Sequence, residues 1–496
     1  METLNNIKSI VKEEINKKNR FSQTEDVVEK IIKILKIFSI NPWATQEEIF
    51  SELKIKNKEE LINLNEIIRN SNELQEYITN KSPSKKYWKT ILPFSSNIED
   101  VLEKKAKLPL RIALFPGVSC MFFCGFCGRN QKAKYQSSVI KDGIENICNL
   151  IKELDLTTKI SISGGLEPLT NPLLSRIIDT ADEKKFKIPL ITNGYSLTKN
   201  YVEKNPSIWK LDSLRISLYG YDEKSYRFIT TLDKSYKIVK KNLIDFLKLR
   251  NENNYKTKIG LNYIILPENM NNLIEVLEFI VEVNKAAGGK GIDFLTLRDD
   301  YQSVTGHNNS YDNDRKYFLE KSMRAEERKK MIKILENFKI FKSKNCPDLH
   351  IDFGYSLEFL SNGYWNKGLI KVSGDKIAKF GYPQLSVAID LHGDVFLFRE
   401  AGFLDREGNK KVIIGRITKK LNLYGVIKEF LKKDQPINFE NEDSRFLDSF
   451  DHVLNALIDQ ANKDARFGIP FKLGPIQKRL FSKTKSLGNN WYSDDI

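Results

Sequence analysis

The chain has few of the residues that build zinc sites and disulfide frameworks. Its 496 residues include four histidines and five cysteines. The histidines are His307, His350, His392 and His452, and none lies near the cysteine triplet at residues 120–127. A zinc site completed there by histidine is therefore disfavoured, because structural zinc normally takes four ligands. Five cysteines favour reduced thiols or a metal site over a disulfide framework.

Long apolar runs and dense basic arms are also lacking. No stretch reaches the length of a membrane span, and the N-terminal twenty residues contain no apolar signal core, so we expect a cytoplasmic protein without a membrane partner. The net charge is +15, from 80 Lys and Arg against 65 Asp and Glu. The excess is spread as isolated lysine pairs, so we expect no nucleic-acid partner. A local positive patch for a phosphorylated small molecule is compatible with it.

Three cysteines, Cys120, Cys124 and Cys127, stand together in CMFFCGFC. Three thiolates this close can hold three irons of one [4Fe–4S] cluster while the fourth iron has no protein ligand. Three structural cysteines at this spacing by chance are the plainer alternative. The pattern Cys-x3-Cys-x2-Cys, with Phe126 before the last cysteine, resembles the signature of the radical S-adenosylmethionine (SAM) superfamily. The resemblance implies that the free iron chelates SAM and that an electron from the cluster cleaves it to a 5′-deoxyadenosyl radical.

The periodicity of apolar residues predicts three domains and a tail. Residues 1–108 show helical spacing, with Thr45 as an N-cap, and we expect a small helical domain with a packing or oligomer-contact role. Residues 109–305 alternate strand and helix, which predicts an α/β fold, a partial (β/α)6 TIM-type barrel. Residues 306–465 are predicted to form a C-terminal α+β domain that closes over the barrel, and 466–496 a polar tail. The predicted barrel helices cover 139–154, 171–184, 198–204, 223–249 and 268–285.

Functional side chains of such barrels gather at the carboxyl ends of the strands. The first predicted strand leads into the cysteines, the second into SGGLEP from Ser163, the third into Asn193 and the fourth into Ser217. GGLEP resembles the superfamily's GGEP motif with one extra residue. The resemblance implies that these positions contact SAM: Phe126, Gly164, Gly165, Glu167, Asn193 and Ser217. For Asn193 a turn after the strand, and for Ser217 a core hydroxyl, are the alternatives.

Further blocks narrow the resemblance. GVSCMFFCGFCGR, SGGLEPLTNP, LRISLYG, IDFLTLRDDY, LHIDFGYSL, QLSVAIDLHGDVFLFREAGF and IGRIT occur in this order. They resemble the dTDP-4-amino-4,6-dideoxy-D-glucose ammonia-lyases, radical SAM deaminases of desosamine biosynthesis. A hairpin predicted at 383–398 is similar in form to the auxiliary-cluster domain of peptide-modifying members, but no cysteine follows Cys346. One cluster is therefore expected.

This resemblance implies a specific reaction. A hydrogen atom would be abstracted from C3 of a nucleotide-linked 4-amino-4,6-dideoxy sugar, ammonia would leave from C4, and a 3-keto-4,6-dideoxy sugar would result. The C3 hydroxyl must lose a proton, so an acid or base is needed. The expected partners are the nucleotide-sugar substrate and a reduced flavodoxin or ferredoxin-type electron donor.

Candidate residues for this reaction follow the sixth strand and the hairpin. Arg298 and Arg399 are suited to bidentate capture of a diphosphate, and Tyr219 to stacking on the sugar or base. Arg298 is also a catalytic candidate, together with Asp299, Tyr301 and Glu400. Ordinary ion pairs and plain packing are the alternatives.

Two other classes stay open on the sequence. A different radical SAM reaction, such as dehydrogenation or epimerisation of a sugar or nucleotide, would use the same front half of the chain. An RNA- or peptide-modifying radical enzyme is the other, and RNA binding would have to be salt-dependent.

Overall fold

The structure is a computed structural model that describes residues 2–18, 25–94, 97–124, 127, 134–266, 268–299, 325–365, 381–404 and 406–469. These residues form two compact units. The first holds residues up to 103 and those from 452, and the second holds residues 104–365 and 381–451. The boundary after residue 103 lies close to the predicted limit at 108, whereas the predicted limits at 305 and 465 do not coincide with a boundary between these units. The reason is that strands predicted for a separate C-terminal domain pair with the central sheet of the second unit.

The first unit is helical, as the apolar spacing predicts. Its helices are α1 Glu2–Lys18, α2 Glu25–Ile40, α3 Gln46–Glu52, α4 Lys58–Asn70, α5 Asn72–Glu76, α6 Lys85–Ile91 and α7 Ile98–Leu102, with a π-helical turn at Tyr77–Lys81. The final helix of the described chain is Ser449–Phe467, and its residues from 452 onwards also belong to the first unit. The predicted N-cap is confirmed, because the Thr45 side chain accepts from the N–H of Glu48 and the Glu48 side chain accepts from the N–H of Thr45. This reciprocal pair satisfies two donors that the helix start leaves open.

A buried carboxyl group in this unit predicts a pH-dependent stability. Asp464 is almost inaccessible, accepts a hydrogen bond from the N–H of Gln46 at 2.7 Å, and its burial raises its pKa to about 7. The folded state is therefore favoured most below the ordinary aspartate pKa, and this advantage is lost as pH rises towards 7. We expect Asp464→Asn to flatten the fall in melting temperature between about pH 4 and pH 7. Calorimetry of the two proteins measures it, and parallel pH profiles would contradict it.

The second unit is built on one sheet of ten strands. They are β1 Arg111–Phe115, β2 Lys159–Ile162, β3 Pro189–Thr192, β4 Ser213–Leu218, β5 Lys258–Ile265, β6 Phe294–Asp299, β7 His350–Phe353, β8 Ser386–Asp390, β9 Asp394–Phe396 and β10 Ile413–Arg416. Their order is β10-β9-β8-β1-β2-β3-β4-β5-β6-β7. Strands β8 and β1 to β7 are parallel, and β9 is antiparallel to both of its neighbours. The six predicted barrel strands are present, and the partial TIM-type barrel is confirmed.

The helices of this unit follow the strands. They are α8 Ser137–Glu153, α9 Leu174–Glu183, α10 Lys199–Lys204, α11 Glu223–Thr230, α12 Ser235–Glu252, α13 Leu273–Ala287, α14 Ala325–Asn345, α15 Tyr355–Ser361 and α16 Leu423–Lys433. The single helix predicted at 223–249 is wrong, because it is two helices. Thr231 and Lys234 both have φ near +61°, which an α-helix cannot continue through. In the part of the chain that the structure describes, no helix is long and apolar enough to cross a bilayer.

The predicted hairpin is confirmed, but its place in the fold is a finding of the structure. β8 and β9 pair antiparallel, and β8 also runs parallel to β1 with Phe115 opposite Asp390. Every residue of β1 and β8 is buried, as expected for strands covered on both faces. Because β8 runs parallel to β1, the residues that follow β8 lie at the same edge of the sheet as the residues that follow β1.

Candidate active site

The cysteine loop begins where β1 ends and lies against the loop that follows β2. The N–H of Glu167 donates to the carbonyl of Ser119 at 2.9 Å. The Thr170 hydroxyl oxygen accepts from the N–H groups of Val118 and Ser119, at 3.2 and 3.1 Å. A side chain at Gly117 would lie 2.3 Å from the carbonyl oxygen of Leu166, so this close approach requires glycine. The two loops are held in a fixed register.

Phe122, between the first two cysteines, anchors the loop in a cage of tyrosines. Its ring is buried and meets Tyr195, Tyr219 and Tyr226 edge-on, with centroids 5.5, 5.7 and 6.2 Å away. The N–H of the next residue donates to the carbonyl of Thr230, the last residue of α11, at 3.0 Å. Edge-to-face contacts of this kind add to the energy of burial. The cysteine loop is therefore held in place both by the packing of the Phe122 ring and by a backbone hydrogen bond.

Tyr219 and Ser217 both belong to this region. Burial, followed by the nearby charges of Cys124 and Cys120, raises the pKa of Tyr219 well above its ordinary value, so its hydroxyl keeps its proton. The backbone carbonyl of Ser217 accepts from the hydroxyl of Tyr226 at 3.3 Å. The ring of Tyr219 packs on Phe122 and Tyr226. Its contacts are thus with the cysteine loop, and the predicted stacking on a substrate stays a prediction.

The three cysteines supply the donor set for an iron–sulfur cluster. Cys120, Cys124 and Cys127 are all free of disulfides, and the N–H of Cys127 donates to the carbonyl of Cys124 at 3.0 Å. Among the residues that the structure describes, no three His, Cys, Asp or Glu side chains stand close enough together to hold a metal ion. The chemistry of the loop nevertheless fits a cluster. It contains three thiols within eight residues, a buried side-chain amide donates to the sulfur of one of them, and aromatic rings pack against the loop.

Glu167 joins the ends of β2 and β3. Its buried carboxylate accepts from the N–H of Leu169 at 3.1 Å, from the Thr192 hydroxyl at 2.6 Å and from the N–H of Asn193 at 2.8 Å. Burial raises its pKa, against the effect of the hydrogen bonds from Asn193, Thr192 and Leu169. All three donors belong to the protein, so the role that the structure displays is to hold two loops together. Its predicted contact with SAM stays a prediction.

The two glycines before Glu167 turn the chain sharply. Gly164 and Gly165 have φ values of +59° and +63°, a region that other residues rarely adopt. A Cβ at Gly164 would also lie 2.3 Å from the ring of Phe115 at the end of β1. The glycine pair is therefore explained by the backbone conformation and by the close approach of Phe115, without requiring a ligand.

Arg399, which follows the hairpin, is hydrogen-bonded to the loop that contains Gly164 and Gly165, called here the glycine loop. Its guanidinium donates to the hydroxyl of Ser163 at 2.9 Å and lies 3.5 Å from the carboxylate of Asp448. Its side chain is 18% exposed, and its backbone N–H donates to Asp451 at 3.2 Å. The structure thus places this predicted substrate ligand beside the predicted SAM loop, in a largely buried ion pair.

Asp448 and Asp451 form a reciprocal cap at the start of the final helix. Each carboxylate accepts from the other residue's N–H, at 2.8 and 3.1 Å. Burial opposes ionisation of Asp448, but the guanidiniums of Arg111 and Arg399 outweigh it and hold its pKa below the ordinary value. Burial and then the charge of Asp448 raise the pKa of Asp451 well above its ordinary value. Asp451 therefore holds a proton more firmly than Asp448 does.

Glu400 lies among arginines. The guanidinium of Arg406 is 4.0 Å from its carboxylate and donates to its backbone carbonyl at 2.5 Å. Burial raises the pKa of Glu400, although Arg399, Arg406 and Arg298 act in the opposite sense. Arg298, which is half-buried at the end of β6, also acts on Arg399 and Asp448. The structure thus brings together three predicted residues, Arg298, Arg399 and Glu400.

Other predicted residues cannot be placed. Phe126 and Tyr301 lie outside the described residues, and of Asp299 the structure describes the strand position but not the side chain.

Sequence reasoning missed Phe122, Arg406, Asp448 and Asp451. The spacing of Asp448 and Asp451 ahead of an apolar-periodic segment is a helix-capping pattern and could have been found. The contacts of Phe122 and Arg406 depend on distant residues and leave no local signal.

Comparison with known proteins identifies the family to which the cysteine loop and the sheet belong. A family model described as "Radical SAM superfamily" matches residues 114–280. The dTDP-4-amino-4,6-dideoxy-D-glucose ammonia-lyase of Streptomyces venezuelae is 33% identical over 391 residues, which cover 78% of each chain. The chain belongs to the radical SAM superfamily. Membership implies that this radical SAM enzyme uses a [4Fe–4S] cluster and SAM.

Solved structures were also similar to this radical SAM enzyme. The crystal structure of Streptococcus suis SuiB bound to precursor peptide SuiA has 16% identity and a TM-score of 0.43, covering 63% of this chain and 64% of SuiB. Native anSMEcpe with bound AdoMet has 14% identity and a TM-score of 0.42, covering 68% of this chain and 83% of that one. Since both TM-scores are below 0.5, the assignment of this radical SAM enzyme rests on the sequence relative and the family model.

Proposed function

We propose that the protein eliminates ammonia from C4 of a nucleotide-linked 4-amino-4,6-dideoxy sugar, such as dTDP-4-amino-4,6-dideoxy-D-glucose, to give the 3-keto-4,6-dideoxy sugar. The observation that carries the proposal is the 33% identity to the ammonia-lyase of that name, which extends over 78% of both chains. Such a span includes both the cysteine loop and most of the strand ends that form the site. The bound cluster and SAM would supply the means of abstracting hydrogen from C3.

The arginines at the site support a phosphorylated substrate. Arg298 is half-buried, whereas Arg399 is largely buried and already holds Ser163 and Asp448. We therefore assign diphosphate contact to Arg298, whose planar guanidinium can hold two phosphate oxygens at once. Arg399 would act on the substrate mainly through its long-range charge. Tyr219 is a further proposed substrate contact, and Arg298, Asp299 and Tyr301 are proposed catalytic residues.

Glu400 is proposed as the group that takes the proton of the C3 hydroxyl. A base must be ionised to accept a proton, and its raised pKa places that ionisation closer to neutral pH than for an ordinary glutamate. We expect activity to fall as pH drops through this raised pKa. In Glu400→Gln the fall in activity at low pH should disappear from the pH–rate profile (its acid limb), and turnover should fall by roughly 100-fold or more. Rates of ammonia release across a pH series measure this, and an unchanged acid limb in the variant would contradict the assignment.

The proposed reaction is tested by incubating reduced, reconstituted protein with SAM and a panel of amino-deoxy sugar nucleotides. Ammonia together with a 3-keto-4,6-dideoxy product, seen by mass spectrometry, is the expected result. A keto product that keeps its nitrogen would indicate a dehydrogenase, and an inverted sugar an epimerase. Either outcome, or no reaction of any amino sugar while SAM is still cleaved, would overturn the proposal.

A radical SAM enzyme needs a reductant, and we propose a reduced flavodoxin or ferredoxin-type protein. A cytoplasmic location is proposed as well, because free cysteines and iron–sulfur ligands persist in reducing compartments.

A further inference from the structure

Asn193 is held rigidly at the end of β3. It is 4% exposed, and its backbone N–H donates to the carboxylate of Glu167 at 2.8 Å. Its side-chain oxygen accepts from the N–H of Tyr195 at 2.9 Å. Two separate hydrogen bonds therefore fix its backbone and its side chain.

This arrangement also decides which end of the amide faces the cysteine loop. An amide oxygen accepts and an amide nitrogen donates, so an oxygen engaged by the N–H of Tyr195 directs the NH₂ group the other way. The NH₂ nitrogen lies 3.6 Å from the sulfur of Cys120 and 3.1 Å from the sulfur of Met121. Flipping the amide would set its oxygen against both sulfurs and its NH₂ group against a backbone N–H. The donor is thus aimed at a predicted cluster ligand.

We propose that Asn193 sets the reduction potential of the cluster through an N–H···S hydrogen bond to Cys120. Adding one electron to the cluster increases the negative charge on its cysteine sulfurs, and a donor aimed at a sulfur stabilises the reduced form more than the oxidised one. The effect is strengthened because the amide is buried, where the dielectric is low. The inference requires the cluster but not the proposed substrate. It gives Asn193 a role different from the predicted contact with SAM.

The test is the midpoint potential of the reconstituted protein without SAM, measured by electron paramagnetic resonance at a series of potentials set with dithionite and mediators. Asn193→Asp keeps the acceptor for Tyr195 and loses the donor, and Asn193→Ala removes both. In each variant we expect the ratio of reduced to oxidised cluster at a fixed potential to fall about tenfold. That change corresponds to a midpoint about 59 mV lower for a one-electron couple. The signal comes only from molecules that hold the cluster, so partial loss of iron does not hide the shift.

A matched control comes from the same loop. The Asn242 side chain donates to the carbonyls of Gly194 and Tyr195, at 3.1 and 2.8 Å, and makes no bond to sulfur. Asn242→Ala should loosen the loop and leave the midpoint unchanged. Two results would overturn the inference. One is an equal shift in Asn242→Ala, and the other is an unshifted midpoint in the Asn193 variants, with or without weaker binding of SAM.

Discussion

Cys124→Ala is expected to lose both the iron–sulfur absorbance and all cleavage of SAM. With two cysteine ligands left, the cluster would lose one of its three attachments, and neither SAM binding nor hydrogen abstraction could follow. Cys124 is buried, and burial followed by the charge of Cys124 raises the pKa of Tyr219 and Tyr226 beside it. The loss should be complete, because each of the three cysteines would hold one iron. Iron analysis, absorbance and a 5′-deoxyadenosine assay after anaerobic reconstitution measure it.

Cys148→Ala is the matched control. Cys148 is a buried free cysteine on α8 whose thiol donates to the carbonyl of Arg176 at 3.6 Å. Its loss should leave a full cluster and normal SAM cleavage. If Cys124→Ala retained the absorbance, or if Cys148→Ala lost it, the assignment of ligands would be wrong.

Arg399→Met is expected to lower both the stability of the protein and the rate of SAM cleavage. The substitution leaves Asp448 buried without one of its cations and releases Ser163 beside the glycine pair. Removing one partner of a buried pair costs about 3–5 kcal/mol. A shift of the glycine loop should slow SAM cleavage as well as turnover, on the order of 100-fold. Melting temperature and the rate of 5′-deoxyadenosine formation without substrate measure the two effects.

The double variant Arg399→Met with Asp448→Asn separates the two causes. Removing the stranded charge should restore much of the stability but not the rate, because Ser163 stays untethered. If Arg399→Met changed only the affinity for substrate and left SAM cleavage intact, Arg399 would be a substrate ligand and not a residue that positions the loop.

Local patterns predicted much of this site. Strands β1 to β6 are short apolar segments bounded by turns, and their parallel order places every following motif at one edge. The cysteine triplet, Gly164 and Glu167 could therefore be expected to meet the third strand's end, and Asn193 does approach Cys120. The reaction itself was predicted from the family resemblance, because the spacing of residues alone does not indicate which reaction is catalysed.

What the sequence did not predict depends on contacts between distant segments. The pairing of Phe115 with Asp390 incorporates the hairpin into the sheet, and no periodicity within either strand specifies its neighbour. The bond from Arg399 to Ser163 joins residues 236 positions apart. The break after α11 depends on left-handed residues, Thr231 and Lys234, in a segment whose apolar spacing continues through it. Tertiary packing decides such features more than local preference does.

Transfer of deuterium tests the central claim most directly. The reduced enzyme would be incubated with SAM and dTDP-4-amino-4,6-dideoxy-D-glucose deuterated at C3, and the masses of the products would be measured by mass spectrometry. The account predicts deuterium in 5′-deoxyadenosine or in recovered SAM, together with ammonia and a keto sugar that has lost the label. Ammonia release with the deuterium retained in the sugar would contradict it.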